Sequence, residues 1–138
     1  MSKENLLEQK NKKTQELSQK KSELGDIEKD IEDLKIIKEN LEKVKEEAKE
    51  SKKNTEALII ENHDRWKGVL KDKWEIQTET DLINEGIKEY IDKVDRNLDE
   101  INLKIMELEN KKYNTEGVIG NLRSGLNWLG TQIENFIN

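Results

Sequence analysis

The sequence predicts an all-α protein in which two long antiparallel helices form a coiled-coil helical hairpin, a single domain over residues 1–138. Three observations predict it. The chain has no proline and is 41% charged, its apolar residues recur at alternating steps of three and four, and a Trp-Lys-Gly sequence lies at the midpoint. Disorder is the alternative that such charge also favours. The strong helix formers and the sustained apolar register argue against it.

The first helix is predicted over about residues 3–62, with its apolar residues in two stretches. The first stretch keeps a heptad register, and the second resumes it after a shift of the stammer type, which overwinds a coiled coil locally. A mean hydropathy of -1.03 allows only a narrow buried row in a chain of this length. The two stretches are Leu24, Ile27, Ile31 and Leu34, and then Ile37, Leu41, Val44 and Ala48.

The turn is predicted at about residues 63–69, around Trp66 and Gly68. A glycine lacks a Cβ and can adopt the positive φ that a tight turn between helices often needs. Trp74 follows Trp66 by eight residues, so the two indoles are expected to cover the closed end as a small aromatic core. The alternative is that Trp74 is an exposed docking residue, since Trp is enriched in binding hot spots.

The second helix is predicted over about residues 70–136 and carries the more regular heptad pattern. Only Lys112 and Thr115 interrupt its apolar row. A mean step of 3.5 residues keeps one stripe facing a partner helix under left-handed supercoiling. The row is Ile83, Ile87, Tyr90, Val94, Leu98, Ile101, Ile105, Leu108, Lys112, Thr115, Ile119, Leu122, Leu126, Leu129, Ile133 and Phe136.

The end of the second helix is more apolar than the segment expected to face it. Between Gln9 and Glu23 the only large apolar residue is Leu17. Burial of one Leu, Ile or Phe is worth roughly 1.5–3 kcal/mol, so an apolar end left against Lys and Gln would forgo much stabilisation. The sequence therefore predicts that another chain binds there, through Val118, Ile119, Leu122, Leu126, Trp128, Leu129, Ile133 and Phe136.

Glycines concentrate in the same segment, at Gly117, Gly120, Gly125 and Gly130. Each costs about 1 kcal/mol relative to alanine inside a helix. Close approach of a partner helix over Gly117, Gly120 and Gly125 is one explanation, and local helix breaks are the other.

Composition excludes several functional classes. A net charge of -6, spread over both halves, offers no basic face for nucleic acid. No apolar run approaches a membrane span, and the N-terminus has no signal peptide, so a cytoplasmic location is expected. Cysteine is absent and His63 is the only histidine, which removes thiolate and histidine metal sites. No metal, cofactor or catalytic residue is predicted, and the protein is not expected to be an enzyme.

Trp66-Lys67-Gly68, Lys71-Asp72-Lys73-Trp74, Tyr90 and the heptads that follow resemble the WXG-motif (ESAT-six-like) superfamily of small type VII secretion proteins. Within it, the chain is similar to the YwqH-like proteins of Gram-positive bacteria. The resemblance implies a targeting factor or chaperone that binds the helical LXG domain of a secreted toxin and promotes its export. A second small helical WXG-like protein is a further implied partner.

One departure from the superfamily concerns the export signal Tyr-X-X-X-Asp/Glu. Tyr90 is followed four residues later by Val94, and Tyr113 by Gly117, so the chain has no complete copy. A partner could supply the signal, and whether the protein is secreted with its client stays open. The alternative function is a structural coiled-coil scaffold or spacer that self-associates, as a homodimer in isolation.

Overall fold

The computed structural model describes residues 2–65 and 73–137, with side chains described for 2–58 and 81–136. Helix α1 spans Lys3–Arg65 and helix α2 spans Lys73–Ile137. The two helices pack against each other in antiparallel fashion, which confirms the predicted hairpin. Helix α1 extends three residues beyond its predicted end at 62. The predicted turn residues Trp66 and Gly68 lie outside the described residues, as does the side chain of Trp74.

Ser2 sets the start of α1. The backbone N–H of Asn5 donates to Ser2 Oγ at 3.2 Å, and the N–H of Leu6 donates to the Ser2 carbonyl at 3.2 Å. The first bond satisfies one of the four amides that a helix N-terminus leaves unpaired, and the second is the first regular backbone bond of the helix. Glu4 in the first turn adds a negative charge at the positive end of the helix dipole. The helix therefore begins at Lys3.

The chain divides into two compact units, each containing a segment of both helices. The terminal unit comprises Met1–Leu34 and Lys104–Asn138, and the central unit comprises Lys35–Leu103.

In the terminal unit the core lies between the facing sides of α1 and α2. Leu6 and Leu129 are each only 1% exposed and cluster with Ile133. Further along α1, the Lys13 side chain lies over Gly125. As residue numbers rise on α1 they fall on α2, so the two segments are antiparallel.

In the central unit the heptad row of α1 continues without the stammer that was predicted. Lys38, Leu41 and Lys45 of α1 are half-buried and follow the spacing of heptad core positions. Ile37, by contrast, is 46% exposed. A lysine can occupy a core position because its methylene stem packs while its amine reaches water or a partner. The register is therefore continuous, and Ile37 is displaced to one side of the core.

Lys45 shows how such a position is stabilised. Its Nζ forms an ion pair with Asp95 on the other helix. The hydrogen bond to Asp95 raises the pKa of Lys45 above its ordinary value of 10.5, so the pair is charged at neutral pH. Because the folded-state pKa is raised, the stabilisation is fully present below pH 10.5 and is lost as the pH rises through the raised value.

Helix α2 is continuous through its glycines, so the alternative of local helix breaks does not hold. Its predicted core row is buried or half-buried from Val94 to Ile133, including the interruption at Thr115. The Thr115 hydroxyl donates to the Lys111 carbonyl at 2.8 Å, which satisfies a buried polar group within the helix. The predicted row positions Ile83, Tyr90 and Phe136 are instead exposed.

Asn84 occupies a core position of α2 with an unpaired acceptor. Its Oδ1 is buried and accepts no hydrogen bond from the described residues. A buried unsatisfied polar group costs about 1–3 kcal/mol. We therefore expect Asn84→Leu to raise the thermal midpoint, followed by circular dichroism, by about 3–8 °C. An unchanged or lower midpoint would show that the amide is satisfied in solution.

Candidate partner-binding surface

The residues predicted to bind a partner divide into an inner and an outer group. Ile119, Leu122, Leu129 and Ile133 are buried inside the terminal unit, and Leu126 is half-buried. They face α1 of the same chain and are not available at the surface. The outer group is Val118, Trp128 and Phe136, with Trp128 53% exposed.

The inner group is covered by Leu17 and by residues of α1 that were not predicted to pack against it. Leu6 lies just before the segment judged too polar, and it is fully buried against Leu129. Lys13, Leu17 and Lys20 are half-buried at heptad spacing, so lysine stems supply apolar surface. Counting back from Leu24 in alternating steps of four and three residues leads to Lys20, Leu17 and Lys13. Heptad periodicity could therefore have identified these positions from the sequence.

Val118 and Trp128 of the outer group belong to a longer uncharged surface on α2, which we call the Trp128 face, whereas Phe136 lies at the end of the core row. The Trp128 face consists of the residues at heptad positions c, f and g between Asn114 and Asn135, outside the core row of α2. None of them is charged, although 41% of the chain is. Its members are Asn114, Gly117, Val118, Asn121, Ser124, Gly125, Trp128, Thr131, Gln132 and Asn135.

The polar side chains of the Trp128 face are short or neutral, so covering them does not require removing a charge from water. The Thr131 hydroxyl donates to the Asn127 carbonyl at 3.1 Å. The half-exposed Trp128 and Val118 lie on neighbouring rows and provide the apolar contact area. Lys111 on the g row and Glu134 at position b border the two ends of this face, and Glu116 and Arg123 occupy heptad position e, on the opposite side of the core row. Such a surface suits another helix better than a charged ligand.

The three predicted close-approach glycines also differ in their surroundings. A Cβ added to Gly117 or Gly120 would meet no atom within 4 Å, so both present open backbone at the surface. A Cβ on Gly125 would lie 3.2 Å from Lys13 Nζ. Gly125 therefore makes room for a side chain of its own chain, whereas Gly117 and Gly120 leave space for another molecule.

Other kinds of site have less support. In the described residues no group of three or more acidic or histidine side chains converges as a metal site. No helix in the described segments is apolar and long enough to cross a bilayer. The described grooves are lined largely by Glu, Asp and Lys, as between Asp30 and Lys111.

Comparison with known proteins adds one finding. A family model described as YwqH-like matches residues 8–133, which includes most of both helices and nearly the whole Trp128 face. Neither the curated proteins nor the solved structures contain a significant match to the chain.

Proposed function

The chain belongs to the YwqH-like family, and on that basis we propose that it is a targeting factor or chaperone for a type VII-secreted toxin. In this proposal it binds the helical LXG domain of the toxin in the cytoplasm and promotes its export. It acts by binding alone, without catalysis. The observation that carries the proposal is the uncharged, Trp-bearing face of α2 in an otherwise highly charged hairpin.

Helix packing explains how the Trp128 face would hold such a client. Trp128 offers a large, rigid apolar side chain of the kind that dominates interface energetics. Gly117 on this face and Gly120 on the adjoining b row have no side chains, so the backbone of a client helix can approach α2 closely there. Close approach increases the number of dispersion contacts along the two helices. The surrounding Asn, Ser and Thr residues allow this without burying a charge.

The binding test compares two substitutions of exposed apolar residues. Trp128→Asp is expected to weaken binding of a purified LXG domain at least about 30-fold by isothermal titration calorimetry, since hot-spot residues contribute 2 kcal/mol or more. Leu103→Asp is the matched control, because Leu103 is 57% exposed and lies in the central unit, outside the Trp128 face. The Leu103→Asp variant should bind the LXG domain with the same affinity as the unchanged chain.

Equal affinity of both variants would contradict the proposed binding face. Failure of the unchanged chain to bind the LXG domain of a toxin encoded beside it would contradict the function itself. The alternative scaffold function is supported if the protein instead forms a stable homo-oligomer whose mass is the same with and without that domain.

A further inference from the structure

One end of the central unit, where α2 carries Ile83, has an unusually polar core, and we call it the Ile83 end. On α1 the a positions of the packed row all hold lysine, and the d positions change from leucine to alanine to threonine toward this end. On α2 the row reaches Asn84, whose buried Oδ1 accepts no hydrogen bond from the described residues. Counting equally from the Lys45–Asp95 ion pair along the two antiparallel helices brings Thr55 beside Asn84. The packed row of α1 is Lys38, Leu41, Lys45, Ala48, Lys52 and Thr55.

The heptad g positions next to this row are more apolar than the a positions that they adjoin. Leu58 is 58% exposed and Tyr90 is 49% exposed. In an antiparallel coiled coil the g positions of both helices lie along the same flank, so both helices carry their exposed apolar side chains on one side. Large apolar side chains thus lie beside a core that contains lysine and asparagine. The g positions hold Ile37, Val44, Ser51 and Leu58 on α1 and Ile83 and Tyr90 on α2.

The g residues form a second regular row with the d residues that are already packed. The step from g to d is four residues and the step from d to g is three, as in an ordinary heptad core. On α1 this second row keeps Leu41 and Ala48, and on α2 it keeps Ile87 and Val94. Rotating each helix by about one-seventh of a turn about its own axis replaces the a row by the g row. The helices need not separate, because the shared d residues stay between them and the relative slide is about 1.5 Å, the rise of one residue.

The second row is complementary across the helix pair at the Ile83 end. After the rotation Tyr90 lies opposite Ala48, a large side chain against a small one. Ile83 lies opposite Thr55, where the packed register places Asn84. Asn84 moves to the edge of the interface, where water satisfies its amide. The rotation therefore exchanges a polar core for a more apolar one.

The charged residues supply a cross-helix ion pair in each register. Lys45 pairs with Asp95 in the packed register, and the rotation moves both residues away from the interface. Glu47 and Lys93 are exposed at heptad position c in the structure. After the rotation the c positions border the core on the other flank, and Glu47 then lies level with Lys93. The loss of one ion pair is offset by the gain of the other.

The second row is limited to the Ile83 end of the unit. Beyond Val94 its next α2 position is Asn97, whereas the packed row has Leu98, which is buried. On α1 the two rows diverge at Ile37, where the stammer was predicted. We propose that residues 37–58 of α1 and 83–94 of α2 exchange between two core registers related by this rotation, independently of binding at the Trp128 face.

Disulfide trapping tests the rotation, because the chain has no cysteine of its own. Ser51→Cys with Gly86→Cys places thiols at a g and a c position, which are too far apart for a disulfide in the packed register and adjoin in the rotated one. Both sites are exposed, and a Cβ on Gly86 meets no atom within 4 Å. Circular dichroism should therefore show unchanged helicity, and mild oxidation should give an intramolecular disulfide.

The control pair is Glu56→Cys with Glu85→Cys, at the equivalent e and b positions of the opposite flank. It lies nearer the Ile83 end, so a general opening of the helices would oxidise it at least as fast as the first pair. The rotation instead moves its two thiols further apart. The disulfide between positions 51 and 86 should form at least about tenfold faster than the control disulfide.

Asn84→Leu tests whether the polar core drives the exchange. This substitution removes the unsatisfied amide from the packed register, so it should slow the disulfide between positions 51 and 86 at least about fivefold. Equal rates for the two cysteine pairs, or no disulfide in the first pair, would overturn the proposal. So would a rate that Asn84→Leu leaves unchanged, or a disulfide that joins two chains in place of two helices of one chain.

Discussion

Leu129→Asp is expected to unfold the terminal unit, whereas Trp128→Asp one residue earlier is expected to leave it folded. Leu129 is 1% exposed and packs with Leu6 and Ile133. Placing an unpaired carboxylate there costs several kcal/mol in addition to the lost apolar contact. The 53% exposed Trp128 side chain can be replaced without burying a charge.

Circular dichroism and hydrogen exchange separate the two outcomes. Leu129→Asp should reduce helicity and remove amide protection in residues 104–137, with a marked fall in the thermal midpoint. Trp128→Asp should retain both signals within the error of the unchanged protein. If Leu129→Asp left protection intact, the inner group would not be part of the hairpin core in solution.

Gly117→Ala combined with Gly120→Ala is expected to stabilise the hairpin and to weaken its binding to the LXG domain. Both sites are open to solvent and lie within a continuous helix, so each alanine should add about 1 kcal/mol of stability. The thermal midpoint should rise by about 4–8 °C. The added methyl groups also separate α2 from a packed helix, and LXG-domain affinity should therefore fall by about tenfold or more.

Gly25→Ala combined with Gly86→Ala is the matched control. A Cβ at either position likewise meets no atom within 4 Å, and neither residue belongs to the Trp128 face. This pair should raise the midpoint by a similar amount and leave the affinity unchanged. If both pairs left affinity equal to that of the original chain, Gly117 and Gly120 would not be sites of close approach.

The fold could be predicted from the sequence because α2 has a nearly unbroken apolar heptad row. From Val94 to Ile133 the predicted row coincides with the buried and half-buried residues. The core row of helix α1 was harder to predict, because lysines occupy several of its positions. Apolar periodicity counts a lysine as polar, although the stem of Lys13 packs against α2 and Lys45 forms an ion pair across the core. That is why a stammer was predicted where the register is continuous.

The candidate site was predicted less completely for a related reason. Composition located the apolar, glycine-bearing end of α2 but could not tell inner residues from outer ones. The distinction depends on what α1 provides opposite each position. Once Leu6 and the lysine stems cover the inner group, only the residues displaced from the core row, such as Val118 and Trp128, remain outside.

The difference between the buried Leu129 and its exposed neighbour Trp128 has an evolutionary consequence. Under the proposed function, substitutions on the Trp128 face would change what the hairpin recognises without altering the side chains that hold α1 and α2 together. Proteins descended from one such hairpin could therefore bind different clients, because each protein can gain or lose contacts at the exposed positions of α2. Sequence divergence among such proteins should concentrate at positions c, f and g of α2, while the spacing of positions a and d persists.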